Sequence, residues 1–597
     1  MPFYNPPVAD TRFVLEQVIG LNNHVGKPGF EAFDPEMVAP ILEEAARFFG
    51  EVVAPTNMPG DQQGCTRNDD GSVTTPDGFP ELYQKVRESG WTTLSHPAEH
   101  GGQGMPGVLG FAVEEYLTSA NMAFAMYFGL TAGAIEAIDA KGSEEQGALY
   151  IPNLVSGAWA GTMNLTEPHC GTDLGLLRTR AEPNNDGSFA ITGTKIFISS
   201  GDHDLSENIV HLVLARLPDA PKGTKGISMF IVPKFIPDAD GNPGERNTLS
   251  CGSLEEKMGI HANATCVMNY DGAKGWLVGE PNKGLAAMFV MMNAARRWVG
   301  LQGISQAELA YQNGAAYALE RRQGRALTGP QDPDEIADPL IVHPDVRRLL
   351  MDARAKTEGI RALALWIALQ ADIAKHAEDE GERTTADDMV QLLTPIVKAI
   401  GTDIGFDVAR QMQQVWGGHG YIVENGMEQF VRDARITQIY EGANGVQAMD
   451  LVGRKLAMHG GRGIQAFFAL VDAEIEKASG IGPTEELATA LGKANTELKA
   501  ASMWLMQNAP KNPENAGSAA YHYMEILGLV SIGWIWLKSA LAAHEGLKGG
   551  NDPFLEAKIL TARHFAENLL PDAGALRRKI DAGAKTIMAM PADSFLR

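Results

Sequence analysis

Cysteine is scarce: four in 597 residues, at 65, 170, 251 and 266. No two of them make a CxxC pair, and their spacing excludes a disulfide framework or a cysteine-rich zinc module. A reducing, cytoplasmic setting is expected. Positive charge is also short, with 50 Lys and Arg against 74 Asp and Glu, a net of −24. Such a chain repels nucleic acid in bulk. Long hydrophobic runs are absent. The most apolar segment, Ile526–Leu537, is bounded by Glu525 and Lys538, and crossing a bilayer takes about 20 apolar residues. A buried core helix is predicted there, with no membrane insertion. The opening MPFYNPPVADTRF has neither the basic start nor the apolar run of a signal peptide. No internal repeat and no low-complexity tract occurs.

What is present is ample apolar material, 44% of residues, in a chain too long for a single core. Residues 1–37 read as an extension with a short helical pattern near Thr11–Leu21. Residues 38–157 read as helical. Met37, Ile41, Leu42, Ala45 and Phe49 fall near helical spacing, a Gly/Asp-rich loop covers Asp61–Gly78, and Ser143-x-x-Gln146 marks a helix start. Between 158 and 284 the period changes to short β-branched or alternating runs, punctuated by Gly, Pro, Asn and Asp. Helical periodicity returns over 285–458. HGGRG (459–463) reads as a linker, and residues 464–597 form a further helical segment with a stripe of Ile464, Phe467, Phe468, Val471 and Ile475.

The chemistry concentrates in Gln414–Gln447, QVWGGHGYIVENGMEQFVRDARITQIYEGANGVQ. A lone carboxylate, Glu441, stands between Tyr440 and Gly442 in apolar, small surroundings. Poor solvation favours the protonated form of a carboxyl, so such a group suits proton abstraction from carbon. Taken alone, a YEG tripeptide is more often a helix-end cap or salt bridge. Its neighbours, a glycine-rich turn and the Arg432-Asp433 pair, shift the balance toward a base.

With these motifs in order, residues 38–460 resemble the acyl-CoA dehydrogenase family. The resemblance implies an α+β fold: an N-terminal helical domain, a middle β domain and a C-terminal four-helix bundle, here with an extra C-terminal helical domain. It implies FAD as cofactor and an acyl-CoA thioester as substrate, with Glu441 as the base. In GTMNLTEPHCGTD (161–173), Leu165 and Thr166 would meet the flavin pyrimidine edge, and Thr172 would lie near cofactor and pantetheine. In TGTKIFISSG (192–201), Phe197 would face the flavin and Ser199 would bond near N5. For a lone strand threonine or phenylalanine, ordinary sheet propensity or core packing is the commoner reading. In ERRQG, Arg321 would bind the FAD pyrophosphate across a subunit interface, with Gln323 as a secondary donor; a planar guanidinium fork suits a diphosphate. Gln414, Gly417 and Gly418 would accept the ADP portion of a partner subunit's FAD. Arg296, Tyr440 and Gly442 would contribute to substrate binding.

Several positions depart from the family pattern. Cys170 stands where a smaller residue is common, Gly426 where proline is common, and Gln429 where Arg or Lys is usual. ERRQG lacks an aromatic residue, and Ala443 lacks a threonine hydroxyl. Gly102, Gly104 and Gly107 spell GxGxxG, but the flanks are helical and Pro106 intervenes, so a helix-capping loop is predicted and not a dinucleotide fingerprint. Histidines 169, 203, 211, 261 and 419 are scattered, and no metal site is expected.

The extension, the long interval and the tail resemble a long bacterial branch of the family. The runs MGIHANATCVMNYDGAKGWLVGEPNKGL and YEGANGVQAMDL look closest to its members that oxidise 3-(methylthio)propanoyl-CoA to 3-(methylthio)acryloyl-CoA in dimethylsulfoniopropionate demethylation. Electron-transferring flavoprotein is the implied acceptor and a homodimer the implied assembly. A general short- or medium-chain acyl-CoA dehydrogenase and an acyl-CoA oxidase are alternatives. A DNA-associated flavoprotein on this fold would carry a basic added domain. From Gly461 onward there are 14 Lys and Arg against 15 Asp and Glu, which is no phosphate-binding surface.

Overall fold

The computed structural model describes residues 2–596. Helical segments flank a middle β region and a further helical region follows, the α+β arrangement expected. The chain forms two compact units: Arg47–Met105 with Tyr116–Trp298, and Met1–Ala46 with Pro106–Glu115 and Val299–Arg597. These units do not coincide with consecutive blocks of sequence.

In the unit built from 47–105 and 116–298, β1 (Thr66–Arg67) and β2 (Val73–Thr74) make a small hairpin inside the segment read as a loop. Gly71 in its turn has φ +84°, a conformation glycine adopts without a Cβ clash. The main sheet uses β3 (Trp159–Asn164), β4 (Arg180–Pro183), β5 (Phe189–Ser199), β6 (Asn208–Ala215), β7 (Ser228–Pro233), β10 (Leu249–Leu254) and β11 (Thr265–Val278). Its order is β3-β6-β7-β11-β5-β4, with β10 also on β11; β8 (Phe235–Pro237) and β9 (Pro243–Arg246) pair separately. Among the strand pairs of this sheet in the described residues, β3 with β6 is parallel and the others are antiparallel. Every residue of β3, β6 and β7 is buried, as in a sheet covered on both faces. The strand period of two sends Leu212 and Leu214 into one core and Val213 and Ala215 into the other. The predicted helix start at Ser143 is a complete capping box. Ser143 Oγ accepts from the Gln146 N–H at 3.2 Å, and Gln146 Oε1 accepts from the Ser143 N–H at 3.1 Å.

The other unit is helical. The helices Gly284–Glu320 and Glu380–Trp416 approach so closely that a Cβ on Gly303 would lie 2.4 Å from the Gly401 carbonyl, and one on Gly405 2.5 Å from the Gly303 carbonyl. Only glycines permit that crossing. Helix Pro344–His376 lies beside Glu380–Trp416 and receives the added helices on another side. There Gly359 leaves room for Trp536, whose indole N–H donates to the Ala355 carbonyl at 2.9 Å. The apolar run 526–537 lies inside a 35-residue helix, Pro513–Leu547. That helix is long and apolar enough to cross a membrane, contrary to the estimate from the short run, but 78% of its most apolar window is buried inside the protein. The expectation of a buried core helix holds. Met37 differs from its reading: it sits in a short turn ahead of helix Val38–Phe48 and is 44% exposed, so the apolar stripe begins at Val38. Gly102 and Gly104 lie in the predicted loop before helix Gly107–Ala120, with a 3-10 turn and no strand ahead of them.

Candidate active site

Glu441 lies in the short turn between the helices Met427–Thr437 and Asn444–Gly453. Its φ is +55° and that of Gly442 is +85°. A left-handed glutamate is rare and costs on the order of 1–3 kcal/mol, so the surroundings must impose it. They do so through hydrogen bonds. The Asn444 N–H donates to the Gln438 carbonyl at 3.1 Å. Gln447 Nε2 donates to the Gly442 carbonyl at 3.1 Å and lies 3.4 Å from that of Glu441. Tyr440 is half-buried and its hydroxyl donates to Gln302 Oε1. Burial, then the neighbouring Glu441 charge, pushes the Tyr440 phenol far up, so it stays a donor. The Glu441 side chain is half-buried.

A second group lies at the far end of helix Glu380–Trp416. Trp416 stacks on Tyr317 with ring centroids 4.2 Å apart, and the Tyr317 hydroxyl meets His419 Nδ1 at 2.7 Å. This places Arg321 and Gln323, just past the end of one helix, next to Gln414, Gly417 and Gly418 at the end of another; all five are exposed. Gly417 has φ +56°, and a Cβ on Gly417 or Gly418 would meet nothing within 4 Å, so the backbone there faces open space. Asp403, whose Oδ1 accepts from Gln438 Nε2 at 2.6 Å beside the Glu441 turn, is 13 residues before Trp416 on the same helix, about 20 Å at 1.5 Å per residue. This end is therefore separate from the Glu441 turn.

The remaining predicted residues gather in the sheet-bearing unit. Leu165 and Thr166 follow β3, and Thr172 is exposed on the turn after them. The turn is closed by paired backbone hydrogen bonds between Glu167 and Cys170, at 2.8 and 3.0 Å. The Ile196 N–H donates to the Thr166 carbonyl at 2.9 Å, which brings the end of β5 alongside. There the register with β11 slips between Cys266 and Met268, and Phe197 falls in this bulge with φ +59° and 60% exposure. An exposed phenylalanine in left-handed backbone is not core packing; it presents a flat apolar face. Ser199 is half-buried, and its carbonyl accepts from the Thr162 hydroxyl at 2.8 Å. These features fit an aromatic ring system bound along Leu165, Thr166 and Phe197. Arg296 is buried, with its guanidinium 5.9 Å from the Phe289 ring.

Sequence reasoning missed the residues that hold these turns. Lys195, fully buried, donates from Nζ to the Leu165 carbonyl at 3.0 Å and to Glu167 Oε1 at 2.9 Å. Glu167 also accepts from the Arg178 and Thr179 N–H groups and the Thr179 hydroxyl. Burial raises the Glu167 pKa, but Lys195 and these donors outweigh it and leave it lowered. The available signal was parity: Lys195 shares a strand face with Ile191, and a lysine at inward parity needs a carboxylate. Asp403 gave no signal, since an aspartate on a long helix reads as a solvated charge. Ligand atoms of Glu167, His169 and Cys170 lie within 4.8 Å of one another, a grouping that the sequence reading did not single out. Both Glu167 and His169 are already engaged, His169 Nε2 with the Leu176 carbonyl at 2.9 Å. Gly426 has φ +73°, which proline cannot adopt.

Four family models match in order: acyl-CoA dehydrogenase N-terminal domain over residues 39–158, middle domain over 162–273, C-terminal domain over 282–457, and acetyl-CoA dehydrogenase C-terminal like over 464–591. The chain is 44% identical to 3-methylmercaptopropionyl-CoA dehydrogenase of Ruegeria pomeroyi, over 98% of this chain and 99% of that one. It is 34% identical to the broad-specificity linear acyl-CoA dehydrogenase FadE5 of Mycobacterium tuberculosis over the whole of both. Among solved structures, acyl-CoA dehydrogenase complexed with FAD from Bacillus anthracis aligns over 98% of this chain and 93% of that one, with a TM-score of 0.74 at 21% identity. Caenorhabditis elegans ACDH-11 in complex with C11-CoA covers 98% of this chain and 96% of its own, with a TM-score of 0.79 at 17% identity.

Proposed function

Because this chain belongs to the acyl-CoA dehydrogenase family of FAD-dependent oxidoreductases, we propose that Glu441 takes the α proton of its acyl-CoA substrate and that this substrate is 3-(methylthio)propanoyl-CoA. The observation that supports the base is the Glu441 backbone, held at φ +55° by partners on both sides of the turn. A half-buried carboxylate carried on a turn whose backbone is fixed suits abstraction of a weakly acidic proton. FAD, when bound, supplies the acceptor for the β hydrogen, which leaves as hydride while the α proton passes to Glu441. The product is the trans-2-enoyl thioester. The Glu441 N–H is the chain's own donor to the thioester oxygen; one such preorganised donor is worth about 3–4 kcal/mol in the transition state. Arg321, Gln323, Gln414, Gly417 and Gly418 bind the pyrophosphate and ADP part of the cofactor. Leu165, Thr166, Phe197 and Ser199 bind the ring. Thr172, Arg296, Tyr440 and Gly442 serve the substrate.

The methylthio substrate is supported by the relative of that name at 44% identity over nearly the full length. The broad-specificity relative at 34% supports a second reading, a general linear acyl-CoA dehydrogenase. Pentanoyl-CoA separates the two, since it differs from the methylthio substrate only by CH2 in place of sulfur. A site shaped for the thioether should give it a higher kcat/KM than pentanoyl-CoA, and one higher by about tenfold or more than that of butyryl-CoA, which is a methylene shorter than pentanoyl-CoA. Equal values with pentanoyl-, butyryl- and octanoyl-CoA would leave the general reading in place. Electron-transferring flavoprotein is the proposed acceptor; hydrogen peroxide released without an added acceptor would overturn that and indicate an oxidase. A cytoplasmic homodimer is also proposed. Leu319, Leu327, Tyr421, Ile422 and Val423 are exposed near Arg321 and the Gly417 turn, which supports a partner subunit there.

Lys195→Met is expected to yield protein with little flavin. The change leaves Glu167 buried without its cation, a loss on the order of 3–5 kcal/mol, and frees the Leu165 carbonyl. The flavin-to-protein absorbance ratio after gel filtration measures it; a wild-type ratio would show that the pair does not hold the turn.

A further inference from the structure

The turn bearing Glu441 is held from beneath by one carboxylate, Asp403 of helix Glu380–Trp416. Asp403 Oδ1 accepts from Gln438 Nε2, three residues before Glu441, at 2.6 Å. It also accepts from Asn444 Nδ2, three residues after Glu441, at 2.8 Å. Asn444 is fixed in turn. Its Nδ2 lies 3.1 Å from the Ala399 carbonyl, and its Oδ1 accepts from the buried Lys398 Nζ at 2.8 Å. Both ends of the turn are therefore tied to a single side chain. The other oxygen of that side chain, Asp403 Oδ2, accepts from the Tyr521 hydroxyl at 2.5 Å. Tyr521 lies on helix Pro513–Leu547, within the added segment that matches its own family model at 464–591.

We propose that Tyr521 is a positioning residue for Glu441, so that the added C-terminal helical domain takes part in α-proton abstraction. This rests on the reading of Glu441 as the base. A carboxylate with donors on both oxygens cannot rotate without losing one of them. Removing the Tyr521 hydroxyl frees Oδ2, and Asp403 can then turn toward water and loosen its grip on Gln438 and Asn444. Proton transfer demands that base and carbon acid meet within about 3 Å, and displacements of about 1 Å cost up to 100-fold in rate. The hydroxyl is a dependable donor, because burial, and then the Asp403 charge, holds its pKa far above the ordinary phenol value. A hydrogen bond that served only to dock the added helices would act on stability and leave the chemical step alone.

The test uses full-length, FAD-loaded enzyme and compares wild type, Tyr521→Phe and Glu441→Gln. The readouts are FAD content, affinity for a non-reacting acyl-CoA thioether, the rate constant of flavin reduction, and its primary isotope effect with α-deuterated substrate. Tyr521→Phe keeps the ring and removes only the hydroxyl. It should keep FAD and thioether affinity, slow flavin reduction by about tenfold, and raise the α-deuterium effect as proton abstraction becomes more rate-limiting. Reduction at the wild-type rate would overturn the proposal. If Tyr521→Phe does not fold with FAD, Asp403→Asn decides by the same criterion, because it preserves shape while weakening the acceptor. Bleaching by Glu441→Gln at the wild-type rate would remove the base itself and the proposal with it. An inert Glu441→Gln beside an unaltered Tyr521→Phe would remove the positioning role alone.

Discussion

Glu441→Gln should purify yellow, bind acyl-CoA and fail to bleach when substrate is added. The amide matches the carboxylate in shape and can occupy the same left-handed turn, so the links from Gln438, Asn444 and Gln447 survive. What is lost is an acceptor for the α proton. General-base catalysis contributes about 10²–10⁴-fold, and this step has no other base proposed, so flavin reduction should fall toward the upper end of that range or beyond. KM should change much less than kcat, because the thioester oxygen meets the backbone N–H of residue 441, which the substitution keeps, and the pantetheine and the cofactor are held by other residues. Stopped-flow absorbance at the flavin band measures the loss. Reduction within about tenfold of wild type would mean that another group takes the proton. Glu441→Gly makes a useful companion. It relieves the backbone at φ +55° and should raise thermal stability relative to Glu441→Gln while being equally inert.

The second large effect concerns stability. Arg361 is buried to 1% exposure and bonds three carboxylates: Asp10 at 2.8 Å, Glu115 at 2.7 Å and Glu308 at 2.6 Å. Lys558 adds bonds to Asp10 and, at 2.8 Å, to Glu358. One network thus joins the N-terminal segment, three helices of the middle of the chain and helix Pro553–Asn568 of the added domain. Arg361→Met should lower stability by about 3–5 kcal/mol, because it leaves buried carboxylates without their cation. The exposed pair Arg563–Glu567, also an arginine and a carboxylate at 2.7 Å, should show no measurable change on Arg563→Met. Thermal unfolding of the two variants makes the comparison, and equal midpoints would overturn it. The pH dependence follows from signs. Burial raises the Asp10 pKa, but Lys558 and Arg361 outweigh it and leave it lowered. Its contribution is therefore present above its unfolded value of about 3.9 and is lost as pH falls through the lower folded value. Burial lowers the Lys558 pKa, but Asp10 and Glu358 outweigh it and leave it raised. That contribution is full below about 10.4 and is lost as pH rises through the higher folded value. The midpoint difference between wild type and Asp10→Asn should hold from pH 5 to 9 and shrink in acid.

Much of this was legible in the chain itself. The switch from period 3.6 to period 2 near residue 158, and back near 285, announced helices, then a sheet, then helices, because each period follows from backbone geometry alone. Ser143 and Gln146 announced a capping box for the same local reason. The β1–β2 hairpin inside a Gly/Asp-rich segment was missed, since strands of two residues carry no period. Glu441, Arg321 and Phe197 stood out because the runs that carry them resemble family motifs in their order. Lys195, Asp403 and Tyr521 did not, although they hold the turns on which those groups sit. Each is unremarkable among its sequence neighbours and has its partner far along the chain, 118 residues away for Tyr521 and Asp403.

Local order by itself determined where the helices and strands run and which carboxylate stands in a glycine-bounded turn, because dihedral preference and hydrophobic period act over a few residues. Tertiary structure alone decided that Glu441 is left-handed, that Phe197 faces outward from a bulge, and that a tyrosine of the last domain reaches the aspartate beneath the turn. Those outcomes depend on which distant groups are dehydrated together, and a buried carboxylate or ammonium must find its counter-charge wherever the packed helices and strands bring one.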